Sequence, residues 1–557
     1  MNRHAQLQRL QSETFDVLVI GGGATGAGVA LDAASRGLKT ALVERNDFAA
    51  GTSSRSTKLI HGGVRYLEQA VKKLDKTQLN LVRDALKERA TLLKLAPHLA
   101  RPLPILTPLY NWWEIPYMMS GLKLYDLLAG RTNLAGSRFV GRSEALTRFP
   151  MLRRAGLRGG VLYFDGQFDD ARMNVALALT AAREGAAVAN HVEVTGLLKS
   201  GGRLRGAAVR DALTGETWEV AAKVVVNATG PFSDAIRQLD DPSAPPMLSA
   251  SSGSHIVLDG RFSPPETGLL IPQTDDGRVL FLLPWLGYTL VGTTDHPAPI
   301  EAHPQATEDD IAYILRHVER YFDLPVTRAD VRAAWSGLRP LVSNPKAADT
   351  ARLSRDHVLN LAPSGLVTIA GGKWTTYRKM ALDTVDAAVR VGGLRAGPSR
   401  TEALKLVGAD SFQPGGAASL ERGFGLEPDV AAYLHRAYGD RAPEVAGLAR
   451  EHPGRLVPGH PHLAAEVLYG ARFEGAQTAT DILARRTRLA FVDQRAALEA
   501  LPQVVQLLGE ALAWDEARAR AEMEAARAYL GVGAESPAPP TADTPFTLPA
   551  DKASGSA

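Results

Sequence analysis

At 557 residues the chain exceeds what one hydrophobic core supports, so two or three domains are expected. An apolar fraction of 45% with 22% charged residues is that of a folded globular protein and excludes wholesale disorder. Cysteine is absent, which removes disulfides, thiolate metal sites, a Cys-linked flavin and thiol redox chemistry, and a net charge of +3 without a basic stripe gives no support to a nucleic-acid partner.

Residues 1–14 are polar and lack the apolar core of a secretory signal, so the cytoplasm is the default expectation. No run of about 18 apolar residues predicts a spanning helix. Residues 15–20 read as a buried strand, 27–36 as a helix of small residues and 39–43 as a second strand. Strand, glycine turn, helix and strand make the half-unit that a dinucleotide needs. Within Gly21-x-Gly23-x-x-Gly26 the first glycine permits the tight turn, the second lets backbone approach a pyrophosphate and the third allows close helix packing. Glu44, ending the second strand, is placed to accept hydrogen bonds from both hydroxyls of a ribose, and its charge argues against a 2′-phosphate and hence against NADP. The polar loop 51–58, with Thr52, Ser53, Ser54 and Lys58, either holds the second phosphate or the flavin of FAD or is a solvated turn.

Residues 71–95 spread Leu74, Leu81, Leu86 and Leu93 among charges, which predicts one or two amphipathic surface helices ended by Pro97. In 106–128 the residues Tyr110, Trp112, Trp113, Ile115, Tyr117, Met118 and Met119 gather beside Lys123; this suits a membrane-surface or subunit contact, or a packed helix pair between domains. Residues 188–194 and 219–226 read as strands. The second runs into Asn227-Ala228-Thr229-Gly230, whose small residues let a sheet edge approach a cofactor, with Pro231 expected to stop any immediate helix. Strand-like runs at 279–283 and 289–291 place a second domain over much of 251–338, and 366–369 reads as another cofactor-side strand before Gly371 and Gly372. Residues 476–490 and 502–529 read as helices of a separate domain, and the proline-rich stretch 533–557 as a disordered tail.

Several longer strings then occur in order: Ser56-Thr57-Lys58-Leu59-Ile60-His61-Gly62-Gly63-Val64-Arg65-Tyr66-Leu67-Glu68, Phe168-Asp169-Asp170-Ala171-Arg172, Gly253-Ser254-His255-Ile256-Val257, Val291-Gly292-Thr293-Thr294-Asp295, Ser336-Gly337-Leu338-Arg339-Pro340 and Gly371-Gly372-Lys373-Trp374-Thr375-Thr376-Tyr377-Arg378. With them the chain resembles the FAD-dependent glycerol-3-phosphate dehydrogenases of the aerobic bacterial and mitochondrial type, from Phe15 to about Asp493. Leu338 stands where that family usually has Val, and Trp374 where Leu is commoner; neither change removes a polar group.

The resemblance implies an α/β fold: a Rossmann-type FAD-binding domain of the glutathione-reductase kind, with a sheet-based substrate cap and a C-terminal helical domain. The expected boundaries are 15–90, 160–235 and 350–395 for the first, 91–159 and 236–349 for the cap, and 400–530 for the helices. It implies oxidation of sn-glycerol 3-phosphate to dihydroxyacetone phosphate by hydride transfer to FAD, reoxidation by quinone, and peripheral association with the inner, cytoplasmic face of the cell membrane. It assigns the substrate phosphate to Arg339 and Arg355, whose planar forks suit that group. Arg65, with Tyr66, orients the glycerol hydroxyls or helps the phosphate. His255 is the candidate base, a ring able to titrate near neutral pH, and His61 is set against the flavin. Lys373 either steadies negative charge near flavin N1 or assists proton removal, with Gly372 letting backbone approach the ring and Gly230 and Thr375 at the cofactor. No metal is implied, and a homodimer is left open. An oxidase using oxygen and yielding hydrogen peroxide shares these motifs and stays as the alternative. A nucleic-acid-associated flavoprotein should show a basic channel or a catalytic Cys, and a non-catalytic FAD scaffold would turn over no glycerol 3-phosphate.

Overall fold

The computed structural model describes residues 1–63, 76–342 and 357–531. Arg65, Tyr66, Arg355 and the tail 533–557 lie outside the described residues.

Val17, Leu18 and Val19 are fully buried, so the first strand, Thr14–Ile20, is covered on both faces and suits the interior of a parallel sheet. It runs parallel between Thr40–Val43 and Thr217–Asn227, with Ile20 opposite Val43 on one side and Asn227 on the other. Outward from there lie Ala187–Ala189 at one edge and, beyond Thr217–Asn227, the strands Val367–Gly371 and His357–Leu361. The helices Ala24–Ser35, Asp170–Arg183 and Tyr377–Gly392 pack together against this sheet through small side chains such as Ala27, Ala30 and Ala381.

Three local readings change here. The strand expected at 188–194 is two strands, because His191 takes a left-handed φ of 54° and turns the chain from Ala187–Ala189 into Val192–Ser200. Pro231 does not prevent a helix: it sits in the first turn of Gly230–Phe232, where its missing N–H costs nothing, and Ser233–Asp240 follows directly. Lys76–Leu95 is one helix and not a surface one, since Val82, Leu86 and Leu92 are buried and Arg89 is wholly buried on Asp165 at 2.7 Å.

Among the described residues a second sheet of ten strands forms the cap. Its organising strand is Leu248–Leu258, paired antiparallel with Val331–Val342 along one side and with Tyr288–Gly292 along the other. Gly159–Phe168 and the short Leu59–Ile60 also belong to this sheet, so the chain enters it before the expected boundary at residue 91 and stays in it past residue 159. The C-terminal helices begin at Ala417, and Leu483, Leu489 and Phe491 pack with Trp285 and Trp335 of the cap. The helix expected at 476–490 is broken into a π-helical turn, Asp481–Arg486, and the short helix Leu489–Val492, because Arg488 has a left-handed φ of 67°. The helix expected at 502–529 starts earlier, running as Gln494–Leu512 through Pro502, and restarts as Glu516–Tyr529 after Ala513 turns left-handed.

Candidate active site

The glycine turn is built by backbone contact. A Cβ on Gly26 would lie 1.8 Å from the Gly21 carbonyl oxygen, and one on Gly21, where φ is +106°, would lie 2.7 Å from the Ala228 carbonyl oxygen. First strand, helix and the end of Thr217–Asn227 therefore meet at distances that exclude side chains. Gly23 is the N-cap of Ala24–Ser35 and offers no side chain to it, which leaves the positive end of the helix facing the turn. Glu44 folds back onto this turn: one carboxylate oxygen accepts from the Gly22 N–H at 2.6 Å and the other from the Asn46 N–H at 2.9 Å. Burial pushes its pKa up while those two amides oppose the shift. Each oxygen keeps a second lone pair for a ribose hydroxyl.

The polar loop is not a solvated turn. Thr52–Ser54 forms a 3-10 turn against the helix start, with Ser53 Oγ accepting from the Ala24 N–H at 2.9 Å and Thr52 Oγ1 donating to the Leu338 carbonyl at 2.6 Å. Ser54 is buried. Trp374 Nε1 donates to the Ser53 carbonyl at 2.9 Å, and Thr375 Oγ1 accepts from the His61 N–H at 3.3 Å, so the block after Gly371 and Gly372 closes over the same loop. Gly230, Gly371 and Gly372 all hold left-handed φ values, and a Cβ on Gly372 would strike Met380 at 2.4 Å. Lys373 leads into this block as the residue before the Trp374–Thr376 turn. A helix start facing the glycine turn, an acid folded onto that turn and small residues on three strand ends fit FAD.

Lys58 departs from its expected role at the cofactor. Its ammonium is fully buried and donates to Asp170 at 2.8 Å and to the Ser54 and Ser56 carbonyls, between the rings of Trp335 and Trp285. Burial, partly offset by Asp170, lowers its pKa to about 8. It holds the loop from beneath.

One face of the cap sheet lies against that loop. His255 pairs in register with Trp335 and Ser251 with Arg339, and side chains alternate along strands, so His255, Ser251, Trp335 and Arg339 share one face. Gly253 and Gly337 face each other between them. A Cβ on Gly253 would lie 2.4 Å from the Arg339 guanidinium, one on Gly292 would lie 2.2 Å from the His255 ring, and one on Gly337 would meet Arg55 at 2.8 Å. These glycines make room for side chains, not for a turn. The loop crosses the face: Thr57 Oγ1 is 3.0 Å from His255 Nε2, and Arg55 donates to the Ser336 carbonyl at 2.8 Å. Thr57 and Arg55 also meet this face, and sequence reasoning passed over them, because nothing local in residues 51–58 tells which strand the loop crosses.

Arg339 pairs with Asp295 at 3.2 Å and donates to Thr293 Oγ1 at 3.1 Å, which fixes its fork in place. His255 is 2% exposed and stacks on Trp335 with ring centroids 4.3 Å apart. Burial first, then the charges of Lys58 and Arg339, hold it well below the ordinary histidine value. The expectation that it titrates near neutral pH is therefore corrected: in the free protein it is neutral there.

A dinucleotide cradle facing a histidine and a fixed arginine defines a flavin-dependent oxidoreductase site, and residues 16–378 match the family model described as FAD dependent oxidoreductase. Residues 399–519 match the C-terminal domain of alpha-glycerophosphate oxidase. The chain is 53% identical over 545 residues to the mitochondrial glycerol-3-phosphate dehydrogenase of Homo sapiens, covering 95% of this chain and 75% of that protein. It is 48% identical over 542 residues to the mitochondrial enzyme of that name in Arabidopsis thaliana, covering 93% of this chain and 86% of that one. The glycerol-3-phosphate dehydrogenase of Bacillus halodurans, solved in complex with FAD, superposes with a TM-score of 0.77 at 32% identity over 95% of this chain and 97% of that one. The chain belongs to the FAD-dependent glycerol-3-phosphate dehydrogenase family.

Proposed function

We propose that the protein oxidises sn-glycerol 3-phosphate to dihydroxyacetone phosphate and hands the electrons on to a quinone. The observation that carries this reading is the placing of neutral His255 and cationic Arg339 on one sheet face beneath the cofactor loop. FAD, when bound, supplies the acceptor for the hydride. The fixed positive charge of Arg339 attracts the phosphate, joined by that of Arg355, and Arg65 orients the hydroxyls. His255 takes the hydroxyl proton at Nε2, the nitrogen that Thr57 Oγ1 meets at 3.0 Å. A dianionic phosphate beside Arg339 offsets the charge that depresses His255 and brings its pKa up toward that of a working base. Lys373 steadies the negative charge that the reduced cofactor gains.

The chain contains no cysteine, so no thiolate relay receives the electrons and a diffusible acceptor suits it. No described helix is long and apolar enough to cross a membrane. Trp112 and Trp113 are 64% and 69% exposed at the start of the helix Glu114–Ala129, which also exposes Leu127 and Tyr117. That apolar surface supports peripheral attachment to the membrane that holds the quinone.

Anaerobic addition of glycerol 3-phosphate to the purified flavoprotein is expected to bleach the flavin absorption, and a quinone analogue to restore it. An unbleached flavin overturns the substrate assignment. Bleaching followed by reoxidation only with oxygen turns the assignment to the oxidase.

A further inference from the structure

We infer that the C-terminal helical domain is part of the cofactor-holding apparatus: Arg485, Arg486 and Arg488 fix the loop from Asp47 to Lys58 from behind, and the Arg486 grip on Asp47 retains FAD. The inference rests on the reading of Glu44 and the Thr52–Ser54 turn as the cradle.

The contacts reach both ends of that loop. Arg485 Nε and Arg486 Nη1 each donate to Asp47 Oδ2 at 2.7 Å, and Arg486 Nη2 donates to Asp47 Oδ1 at 3.1 Å. Asn190 donates to the same carboxylate at 2.9 Å. At the far end Arg488 donates to the Ser54 carbonyl at 2.8 Å and to Asp170 Oδ1 at 3.1 Å. Asp170 also gathers the Lys58 ammonium and both the N–H and hydroxyl of Ser56. Between these anchors the Ala49 N–H donates to the Gly22 carbonyl at 3.2 Å, so the loop just after Asp47 lies on the glycine turn. Moving Asp47 moves the neighbours of Glu44 and Gly22 together.

The local fold of the arginine run serves this grip. In an α-helix consecutive side chains diverge by about 100°. The π turn, closed by the Thr487 N–H on the Ile482 carbonyl at 2.9 Å, lets Arg485 and Arg486 reach one carboxylate. Arg488, left-handed, then turns its guanidinium to Ser54. His191 joins the two domains as well, its ring 2.8 Å from Asp481 and its N–H on the Asn46 carbonyl at 2.6 Å. Asp47, His191 and Asp481 come within 4.8 Å of one another, as metal ligands would, but the two guanidiniums already neutralise both carboxylates. Asp47 and Arg486 are fully buried. A buried charge persists only when paired, so the network is committed to one arrangement of the loop.

The test follows FAD release from the holoenzyme on dilution, read as the rise of flavin fluorescence. The double variant Asp47→Asn with Arg486→Met removes both charges, so neither is left buried alone. It is expected to release FAD roughly ten- to a hundredfold faster than the parent, while the FAD-saturated protein unfolds within a few degrees of it. Arg486→Lys, which keeps the charge without the fork, is expected to fold and to fall between the two. Glu44→Ala serves as the control for the cradle and also releases FAD faster. If Glu44→Ala releases faster but Arg486→Lys and the double variant release at the parent rate, the inference is overturned and the cradle stands. If all three match the parent, both are overturned. Should the double variant not fold, faster release from Arg486→Lys supports the inference and release at the parent rate overturns it.

Discussion

His255 concentrates the chemistry that one residue can carry. Replacing it with Asn keeps a polar group of similar reach beside Thr57 but cannot take a proton, so kcat/KM for glycerol 3-phosphate is expected to fall by about 10²- to 10⁴-fold with full flavin content. The pH dependence has a definite sign. The base must be neutral in the free enzyme, and His255 is held well below the ordinary value of about 6.5. Once corrected for the second ionisation of the substrate phosphate, at about 6, the kcat/KM profile should therefore stay level as pH falls through about 6.5 and drop only further into acid; an enzyme limb still centred at about 6.5 after that correction would exclude His255 as that base. His255 and Arg339 are legible in the sequence because uncommon strings surround them. What the strings hide is partnership: Lys58 sits in the same string as Thr57, yet its ammonium is committed to Asp170 while the Thr57 hydroxyl meets the histidine.

Among the elements, the glycine turn and its flanking strands are the most legible, because tight backbone approach demands glycine and leaves a pattern. Gly26→Ala should abolish flavin retention, since its methyl group would have to occupy the Gly21 carbonyl; a variant purified with stoichiometric flavin would refute that reading of the turn. The crossing of the cofactor loop over Val331–Val342 is not legible, because Thr52 and Leu338 lie 286 residues apart and nothing local couples them. The helix Lys76–Leu95 misleads for a different reason. Its buried charges, Arg89 on Asp165 and Glu88 on Arg378, look like solvated surface until their partners are known. The helix that begins after Trp112 and Trp113 is expected to carry the membrane contact. Changing both tryptophans to Ser should abolish sedimentation with liposomes and leave flavin bleaching by substrate intact; unchanged sedimentation would assign that cluster to another surface.

For the whole molecule, buried titrating groups set the response to acid. His98 and His462 are each pushed down to about 3, chiefly by burial. Between about 6.5 and 3 the unfolded chain holds protons at these rings that the fold does not, so stability falls as pH drops through that window. Glu466 and Asp165, pushed up by burial to about 7 and about 6, work the other way, because the fold holds their protons above the unfolded values of 4.5 and 3.8. The opposition is strongest in the upper part of the window, so the steep loss of Tm should come below about pH 4.5. His462→Asn is expected to flatten the slope of Tm against pH there, and an unaltered slope would count against it.

The pairing of Arg486 with Asp47 joins residues 439 apart in the chain. At synthesis rates of about 5–20 residues per second, Asp47 leaves the ribosome roughly 20–90 seconds before its guanidinium partner exists. The nascent flavin domain must spend that interval with an acid in its interior side and no counter-ion to meet it. Its final form is thus reached only once residue 486 has been made, and a chain released before that point has no route to the same end state.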